Sequence, residues 1–302
     1  MYLYTMRAMP WNLEEVTVKL QEQDARPGDL GSTAAVSVRR SPIVATGDFI
    51  RKTFVIAEWE VRKLRHDPTD VFTRSVQPVL WLLVFGEVFA HIHAIPTGNT
   101  NYLDFLAPGI LSQSVLFIAI FYGISLIWER DLGVIHKFFA APIPRAALVL
   151  GKALAAGVRG LPQAIIIYLL ALLLGVKMNW NPLALLGVIL LVGLGAACFS
   201  TFSLIIASLL KNRDRVMGIG QLLTMPLFFA SNAIYPISIM PSWLQVIAHI
   251  NPLTYVVNGL RTLMLAGGNV SLSSVGIDFV ILLAITTVLI LLGSWLYPGI
   301  VQ

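Results

Sequence analysis

Long apolar segments alternate with short polar ones along most of this chain. A helix needs about 20 mostly apolar residues to cross a bilayer, because each residue rises about 1.5 Å along its axis. Six segments meet this requirement: 71–92, 105–128, 146–176, 182–210, 216–235 and 275–297. The pattern therefore predicts an all-α integral membrane fold with six transmembrane helices.

Composition agrees with a membrane protein and excludes a soluble globular one. Hydrophobic residues make up 57% of the 302 residues and charged residues only 12%, against about 25% charged residues in soluble domains. The first 74 residues carry 11 of the 21 Lys and Arg residues. Basic residues beside apolar spans favour contact with membrane lipids rather than with nucleic acid, which we do not expect as a partner.

Basic residues also predict the orientation of the spans, because they concentrate in cytoplasmic loops. With the N-terminus inside, the inner segments 1–74, 129–145 and 211–215 contain 11, 3 and 3 basic residues. The outer segments contain only Lys177 and Arg261. We therefore expect a multi-pass protein of the cell inner (plasma) membrane with cytoplasmic N- and C-termini.

An amphipathic helix is predicted before the first span, over residues 49–65. Its apolar residues recur at spacings of four, three, four and three, and they are Ile50, Phe54, Ala57, Val61 and Leu64. This pattern favours a helix at the membrane interface, which either only anchors the protein or also contacts a cytoplasmic partner. Residues 1–48 are polar and predict a poorly ordered cytoplasmic tail before a transmembrane domain over 49–302.

Two further helical features are predicted between the spans. In the cytoplasmic segment 129–145, apolar residues at helical spacing precede Pro142, which favours a short surface helix. On the outer side, Trp243–Ala248 and Leu253–Leu265 are apolar but too short to cross, and Asn251-Pro252 is a helix start. We expect these two pieces to form a re-entrant hairpin before the sixth span, packed against protein.

Several motifs carry a family resemblance. On the predicted cytoplasmic side they are Trp128-Glu-Arg-Asp-Leu-Gly133, Ala141-Pro-Ile-Pro-Arg145 and Leu150-Gly-Lys152. On the predicted outer side the motif is Asn251-Pro-Leu-Thr-Tyr-Val-Val-Asn-Gly-Leu-Arg261. With these motifs, residues 49–302 resemble the membrane subunit of ABC-2 type exporters. Tyr102-Leu-Asp-Phe-Leu-Ala-Pro-Gly-Ile110 and Asp67-Pro68 are similar to its daunorubicin-resistance-type branch.

The resemblance implies a permease that forms the translocation path of an ATP-driven exporter. Such a permease pairs with a second copy, as a homodimer, or with a homologous permease, and with cytoplasmic ABC ATPase subunits that bind ATP and Mg²⁺. A P-loop would need Ser or Thr after its Gly-Lys, but Gly151-Lys152 is followed by Ala153. We therefore assign this chain no catalytic residue, no cofactor and no metal site.

Coupling to the ATPase is assigned to the segment between spans two and three. We expect its apolar side chains to enter a cleft of the ATPase and its charged ones to pair around that cleft. A glycine would let the chain bend and a proline would end the helix. The residues are Glu129, Arg130, Gly133, Ile135, Lys137, Phe138, Phe139 and Pro142.

The substrate path is assigned to spans two and five, which line it in the family. Residues at helical spacing there are Gln113, Phe117, Phe121, Gln221, Met225, Phe228 and Asn232. Simple helix packing is the alternative role for them. An apolar path with aromatic residues favours a hydrophobic or amphipathic substrate such as a drug, a lipid or a glycolipid, with a lipid-linked polysaccharide as the alternative.

The roles of four ionisable residues near the membrane have alternative explanations. Lys152 and Arg159 either extend to the headgroups or pair with Glu129 or Asp131. Glu87, one turn from His91, favours a hydrogen bond or a proton-coupling role. A membrane enzyme acting on lipids is a different class of function, but the spans contain no paired carboxylates for such chemistry.

Overall fold

The computed structural model describes residues 42–66, 68–92, 101–133, 143–210, 212–266 and 272–296. Within these ranges the regular structure is helical, and the only β-contact is an isolated bridge between Met178 and Leu265. The α-helices are α1 Pro42–His66, α2 Pro68–Leu80, α3 Gly86–Ile92, α4 Tyr102–Ile124, α5 Leu126–Asp131, α6 Arg145–Leu173, α7 Pro182–Leu209, α8 Arg213–Phe229, α9 Ser242–Ile250, α10 Pro252–Met264 and α11 Leu272–Leu296. This confirms the all-helical prediction for the described residues.

Four helical segments are long and apolar enough to cross a membrane. They are Tyr102–Asp131, Arg145–Leu173, Pro182–Leu209 and Ser273–Leu296, and they coincide with predicted spans two, three, four and six. Their agreement with the sequence follows from composition, since each contains an almost uninterrupted apolar run.

Predicted spans one and five have a different form. In the first, α2, the π-helix Trp81–Phe85 and α3 follow one another without a gap, with 13, 5 and 7 residues. The π-helical turn begins three residues after Pro78, which cannot donate a backbone hydrogen bond within α2. The fifth is α8, which has 17 residues and is about 26 Å long at 1.5 Å per residue. Six spans therefore stay a prediction.

The helix α4 lies at the centre of the bundle, with nearly all its side chains buried. It packs against α6, α7, α8 and α10. Contact with α7 is close, because a Cβ atom at Gly123 would clash with the Ser200 carbonyl oxygen. The Ser203 hydroxyl donates across the same contact to the Ile120 carbonyl at 2.7 Å. Small residues thus let two membrane helices approach and bond directly.

The amphipathic helix is present as α1, and part of its predicted apolar stripe is buried. Thr53, Ile56, Ala57 and Glu60 are buried. Of the predicted apolar stripe, Ala57 lies on this buried face, whereas Ile50 and Phe54 are 49% and 62% exposed. An interfacial helix presents exposed apolar residues of this kind to lipid, and the interfacial position of α1 stays a prediction.

The two short helices predicted on the outer side are present as α9 and α10, and the bridge between Met178 and Leu265 fixes the end of α10. The amide of Asn179 donates to the Met264 carbonyl at 2.7 Å, and that of Ala266 donates to the Lys177 carbonyl at 2.8 Å. The connection between α6 and α7 is thereby joined to α10. The predicted surface helix after Gly133 and residues 1–41 of the predicted tail 1–48 lie outside the described residues, and α1 begins at Pro42, before the predicted end of that tail.

Candidate functional site

A buried ion cluster joins three helices at the end of the bundle where α5 ends. The Lys152 ammonium group of α6 lies 3.0 Å from Glu60 Oε1 of α1 and 2.7 Å from Glu129 Oε2 of α5. Lys152 is 4% exposed and Glu60 is 1% exposed. Of the two alternatives for Lys152, the structure therefore contains the pairing with Glu129, and the extension to the headgroups is wrong.

Arg159 and Tyr122 lie next to this cluster and extend it. An Arg159 guanidinium nitrogen lies 3.4 Å from the Glu60 carbonyl oxygen and 3.8 Å from Glu60 Oε2. The guanidinium carbon lies 4.5 Å from the centroid of the Tyr122 ring. Arg159 thus pairs with Glu60 rather than with Glu129 or Asp131, and its charge also interacts with an aromatic face.

The close approach of α1 to α6 depends on Gly151. A Cβ atom at this position would lie 2.8 Å from Ile56 Cβ and 2.9 Å from the Thr53 carbonyl oxygen. The absence of a side chain lets the next residue, Lys152, reach Glu60 on α1. The Gly-Lys pair therefore serves helix packing and ion pairing.

A second, more exposed set of charges follows at the end of α5. Asp131 accepts from Arg130 Nε at 3.0 Å and from Arg213 Nε, at the start of α8, at 2.5 Å. The chain then turns at Gly133, whose φ of +71° is a left-handed conformation that glycine adopts without strain. This turn lies where we predict a bend, and the coupling role of the segment that follows it stays a prediction.

The predicted coupling residues divide into two groups. Glu129 is buried and bound to Lys152, and Arg130 bonds to Asp131. The carboxylate of Glu129 therefore acts inside the bundle in this structure, and its contact with an ATPase stays a prediction. The others, Ile135, Lys137, Phe138, Phe139 and Pro142, lie outside the described residues.

The motif Asn251–Arg261, predicted on the outer side, joins α10 to the end of α8. The Asn251 side chain accepts from the Leu253 amide at 3.0 Å, which confirms it as the N-cap of α10. Its amide nitrogen donates to the carbonyls of Leu227 and Ala230 at 2.7 and 3.0 Å. One asparagine thus caps one helix and satisfies terminal carbonyls of another.

Asn258 and Arg261 complete this contact on the next turns of α10. The Asn232 amide donates to Asn258 Oδ1. The Arg261 guanidinium donates to the carbonyls of Asn232 and Phe105 at 2.8 and 3.2 Å, and its central carbon lies 3.7 Å from the Phe105 ring centroid. The polar residues of the motif therefore hold the turn after α8 against α4 and α10.

Replacing Asn251 with alanine is expected to lower the free energy of unfolding by about 2–4 kcal/mol, because a cap and two buried hydrogen bonds are lost. Asn181 is the matched control, since it also caps a helix before a proline but is exposed. Asn181→Ala should cost only about 1 kcal/mol. Thermal unfolding of the two variants in the same detergent measures the difference, and equal losses would contradict the bridging role of Asn251.

The predicted path residues do not share one environment. Gln113 and Phe228 are buried, and Phe117 and Phe121 are partly buried and stack with ring centroids 6.4 Å apart. Gln221 and Met225 are exposed on α8. Because α8 ends at Phe229, Asn232 lies in the following turn and does not continue the face that Gln221 begins. A single lining face from Gln221 to Asn232 is therefore wrong.

Glu60 and Tyr122 were not predicted as site residues. Glu60 is 92 positions before Lys152, so helical spacing could not connect them. The available signal was the short spacing of Thr53, Ile56 and Glu60 on one face of α1. Elsewhere, Glu87 and His91 are both exposed, and a His91 ring nitrogen lies 3.3 Å from the Glu87 backbone carbonyl.

Comparisons with known proteins agree with these features. Residues 51–265 match the family model described as ABC-2 type transporter. The transport permease ycf38 of Cyanophora paradoxa is 31% identical over 74% of this chain and 78% of its own length. The daunorubicin resistance ABC transporter permease protein DrrB1 of Streptomyces coeruleorubidus is 27% identical over 79% of this chain and 86% of its own length.

A third relative is the inner membrane transport permease YadH of Escherichia coli, which is 23% identical over 62% of this chain and 73% of its own. The family match includes α2 to α10 completely, and with them the ion cluster and the motif Asn251–Arg261. The chain therefore belongs to the ABC-2 type transporter family, as a membrane permease.

Proposed function

We propose that this chain is the transmembrane permease subunit of an ATP-driven exporter, and that a separate ABC ATPase subunit hydrolyses the ATP. The observation that carries the proposal is the ion cluster of Glu60, Lys152 and Glu129. It lies just before the segment that we assign to ATPase coupling. A displacement of that segment would be passed directly to α1 and to the long apolar helix α6.

The cluster supports this role because it is buried. Ion pairs at 2.7 and 3.0 Å in a site of low dielectric constant resist separation, since each freed charge would stay out of water. The helices α1, α5 and α6 would therefore move together. Movement would then be passed along α6, which is long enough to cross the membrane.

Six spans with cytoplasmic termini fit these helices. The continuous helical run α2–α3 supplies the first span, and α8 with the turn that follows it supplies the fifth. Asp131 and Arg213 bond to each other, so the end of α5 and the start of α8 lie on the same side. Both lie in segments rich in basic residues, which favours the cytoplasmic side. The hairpin of α9 and α10 would then enter the outer leaflet.

The substrate path is proposed between two permease copies. Exposed apolar residues along α8 offer a surface for the second copy, and they are Met217, Leu222, Met225 and Phe229. The stacked rings of Phe117 and Phe121 lie on the central helix α4. One relative is named for daunorubicin resistance. We propose the same broad class of cargo for this chain, a hydrophobic or amphipathic molecule such as a drug, lipid or glycolipid.

Reconstitution tests the function. An affinity-tagged chain purified from its native membrane should bring with it an ABC ATPase, and proteoliposomes containing both should export a fluorescent lipid or a hydrophobic dye when ATP is added. Export should cease when the ATPase is omitted or when its P-loop lysine is replaced. Transport by the purified chain alone, driven by an ion gradient, would overturn the proposal.

A further inference from the structure

A groove runs between α1 and the third-span helix α6. Its cavity volume is about 640 Å³, and its floor includes the side chains of Phe54, Val61, Leu154 and Val158. Glu58 and Arg62 lie at its rim, where they form an exposed ion pair of 2.7 Å one helical turn apart. This volume is in the range of small-molecule sites, which extends over roughly 300–1,000 Å³.

The position of the groove determines what can fill it. Leu154 and Val158 lie on a helix that is long and apolar enough to cross a membrane, about 14 and 20 Å from its first residue at 1.5 Å per residue. Both are exposed outside the helix bundle. On a helix that crosses the bilayer, exposed apolar side chains such as these contact acyl chains rather than water. The floor therefore fits a hydrocarbon chain.

The charged residues at the rim, Glu58 and Arg62, determine which polar group can bind there. A guanidinium group binds a phosphate through parallel hydrogen bonds, so Arg62 fits the phosphate that all phospholipids carry. The Glu58 carboxylate accepts hydrogen bonds from an ammonium group and repels a second negative charge. Together they complement a headgroup with one phosphate and one ammonium.

We propose that this groove is a binding site for a single zwitterionic phospholipid with an amine headgroup, such as phosphatidylethanolamine. One acyl chain lies along Phe54, Leu154 and Val158, the phosphate contacts Arg62, and the ammonium contacts Glu58. The site secures α1 to α6 on the side away from the buried face of α1. It is independent of the substrate path and of the direction of transport.

Photocrosslinking in nanodiscs of defined composition tests this site. The full chain is placed in equal amounts of phosphatidylethanolamine and phosphatidylglycerol, with photoreactive p-benzoylphenylalanine in place of Leu154. The matched control carries it in place of Leu190, which is similarly exposed on α7, at 55% against 41% for Leu154. Mass spectrometry of the adducts then gives the ratio of the two lipids captured at each position.

The groove position is expected to capture phosphatidylethanolamine with roughly fivefold enrichment over the control, the size of an exposed charge-assisted contact. Glu58→Gln should return the ratio at position 154 to that of the control, and Arg62→Gln should lower the total lipid captured there. Equal ratios at the two positions, or preference for phosphatidylglycerol, would overturn the proposed headgroup. Crosslinking to a second copy of the chain would instead identify the groove as a subunit interface.

Discussion

Lys152→Met is expected to lower the free energy of unfolding by about 3–5 kcal/mol, the cost of removing one partner from a buried ion pair. Methionine has a similar length and fits the space, so the effect isolates the charge. Two buried carboxylates, those of Glu60 and Glu129, would lose an ammonium group that lies 3.0 and 2.7 Å away. Since most proteins are stable by only about 5–15 kcal/mol, much of the variant should be lost as aggregate. Unfolding of the purified chain in detergent measures the loss.

A second variant separates the effect of the lost charge from the effect of the changed side-chain shape. Replacing Lys152 with Met together with Glu60→Gln and Glu129→Gln removes all three charges, and it should recover most of the lost stability. In this variant Arg159 loses the Glu60 carboxylate 3.8 Å away but keeps its contacts with the Glu60 backbone carbonyl and the Tyr122 ring. If the triple variant is no more stable than Lys152→Met alone, unpaired carboxylates are not the cause. Wild-type stability in the single variant would contradict the buried ion pair altogether.

The sequence predicted those helices whose apolar runs have no other explanation. Segments such as Pro182–Leu209 contain no charged residue, so only a membrane or a large core could accommodate them. The N-cap at Asn251 was predicted for a similarly local reason, because the Asn-Pro pair supplies both a side-chain acceptor and a preset φ. The residues that determine these features are neighbours in the sequence, so the features can be predicted from the sequence.

The orientation of α1 could not be predicted in the same way. In water, the apolar stripe of Ile50 and Phe54 would face the protein, but lipid is as apolar as a protein core. Glu60 faces the bundle together with Thr53, Ile56 and Ala57, because Lys152 lies opposite it. An ion pair between positions 92 residues apart depends on the tertiary arrangement, and no periodicity in one helix contains that information.

The predicted face on span five failed for a related reason. Helical spacing relates Gln221 to Asn232 only while the helix continues, and α8 ends at Phe229 after Pro226. The terminal carbonyls at Leu227 and Ala230 are then satisfied by Asn251, which is 24 and 21 positions away. A distant residue thus stabilises the end of this helix, and the single-segment pattern overestimates its length.

Phe138→Ala combined with Phe139→Ala is expected to weaken binding of the ATPase by about a hundredfold or more. Apolar residues at the centre of an interface commonly contribute about 2 kcal/mol or more each, and 1.4 kcal/mol is a factor of ten in affinity. The two residues follow the turn at Gly133 and are five and six positions beyond it. Copurification with the ATPase and substrate-stimulated ATP hydrolysis measure the effect, and the permease itself should remain folded.

The matched control is Phe54→Ala combined with Val55→Ala, two exposed apolar residues on the neighbouring amphipathic helix. If Phe138 and Phe139 only lie among the lipid headgroups, the two double variants should behave alike, because each would lose similar apolar contact with the membrane. If they enter a cleft of the ATPase, only the first variant loses the ATPase. Unchanged copurification and unchanged stimulated hydrolysis in Phe138→Ala with Phe139→Ala would reject the coupling role, and transmission would then have to pass through Arg130, Asp131 and Arg213, which are bonded to one another at the end of α5.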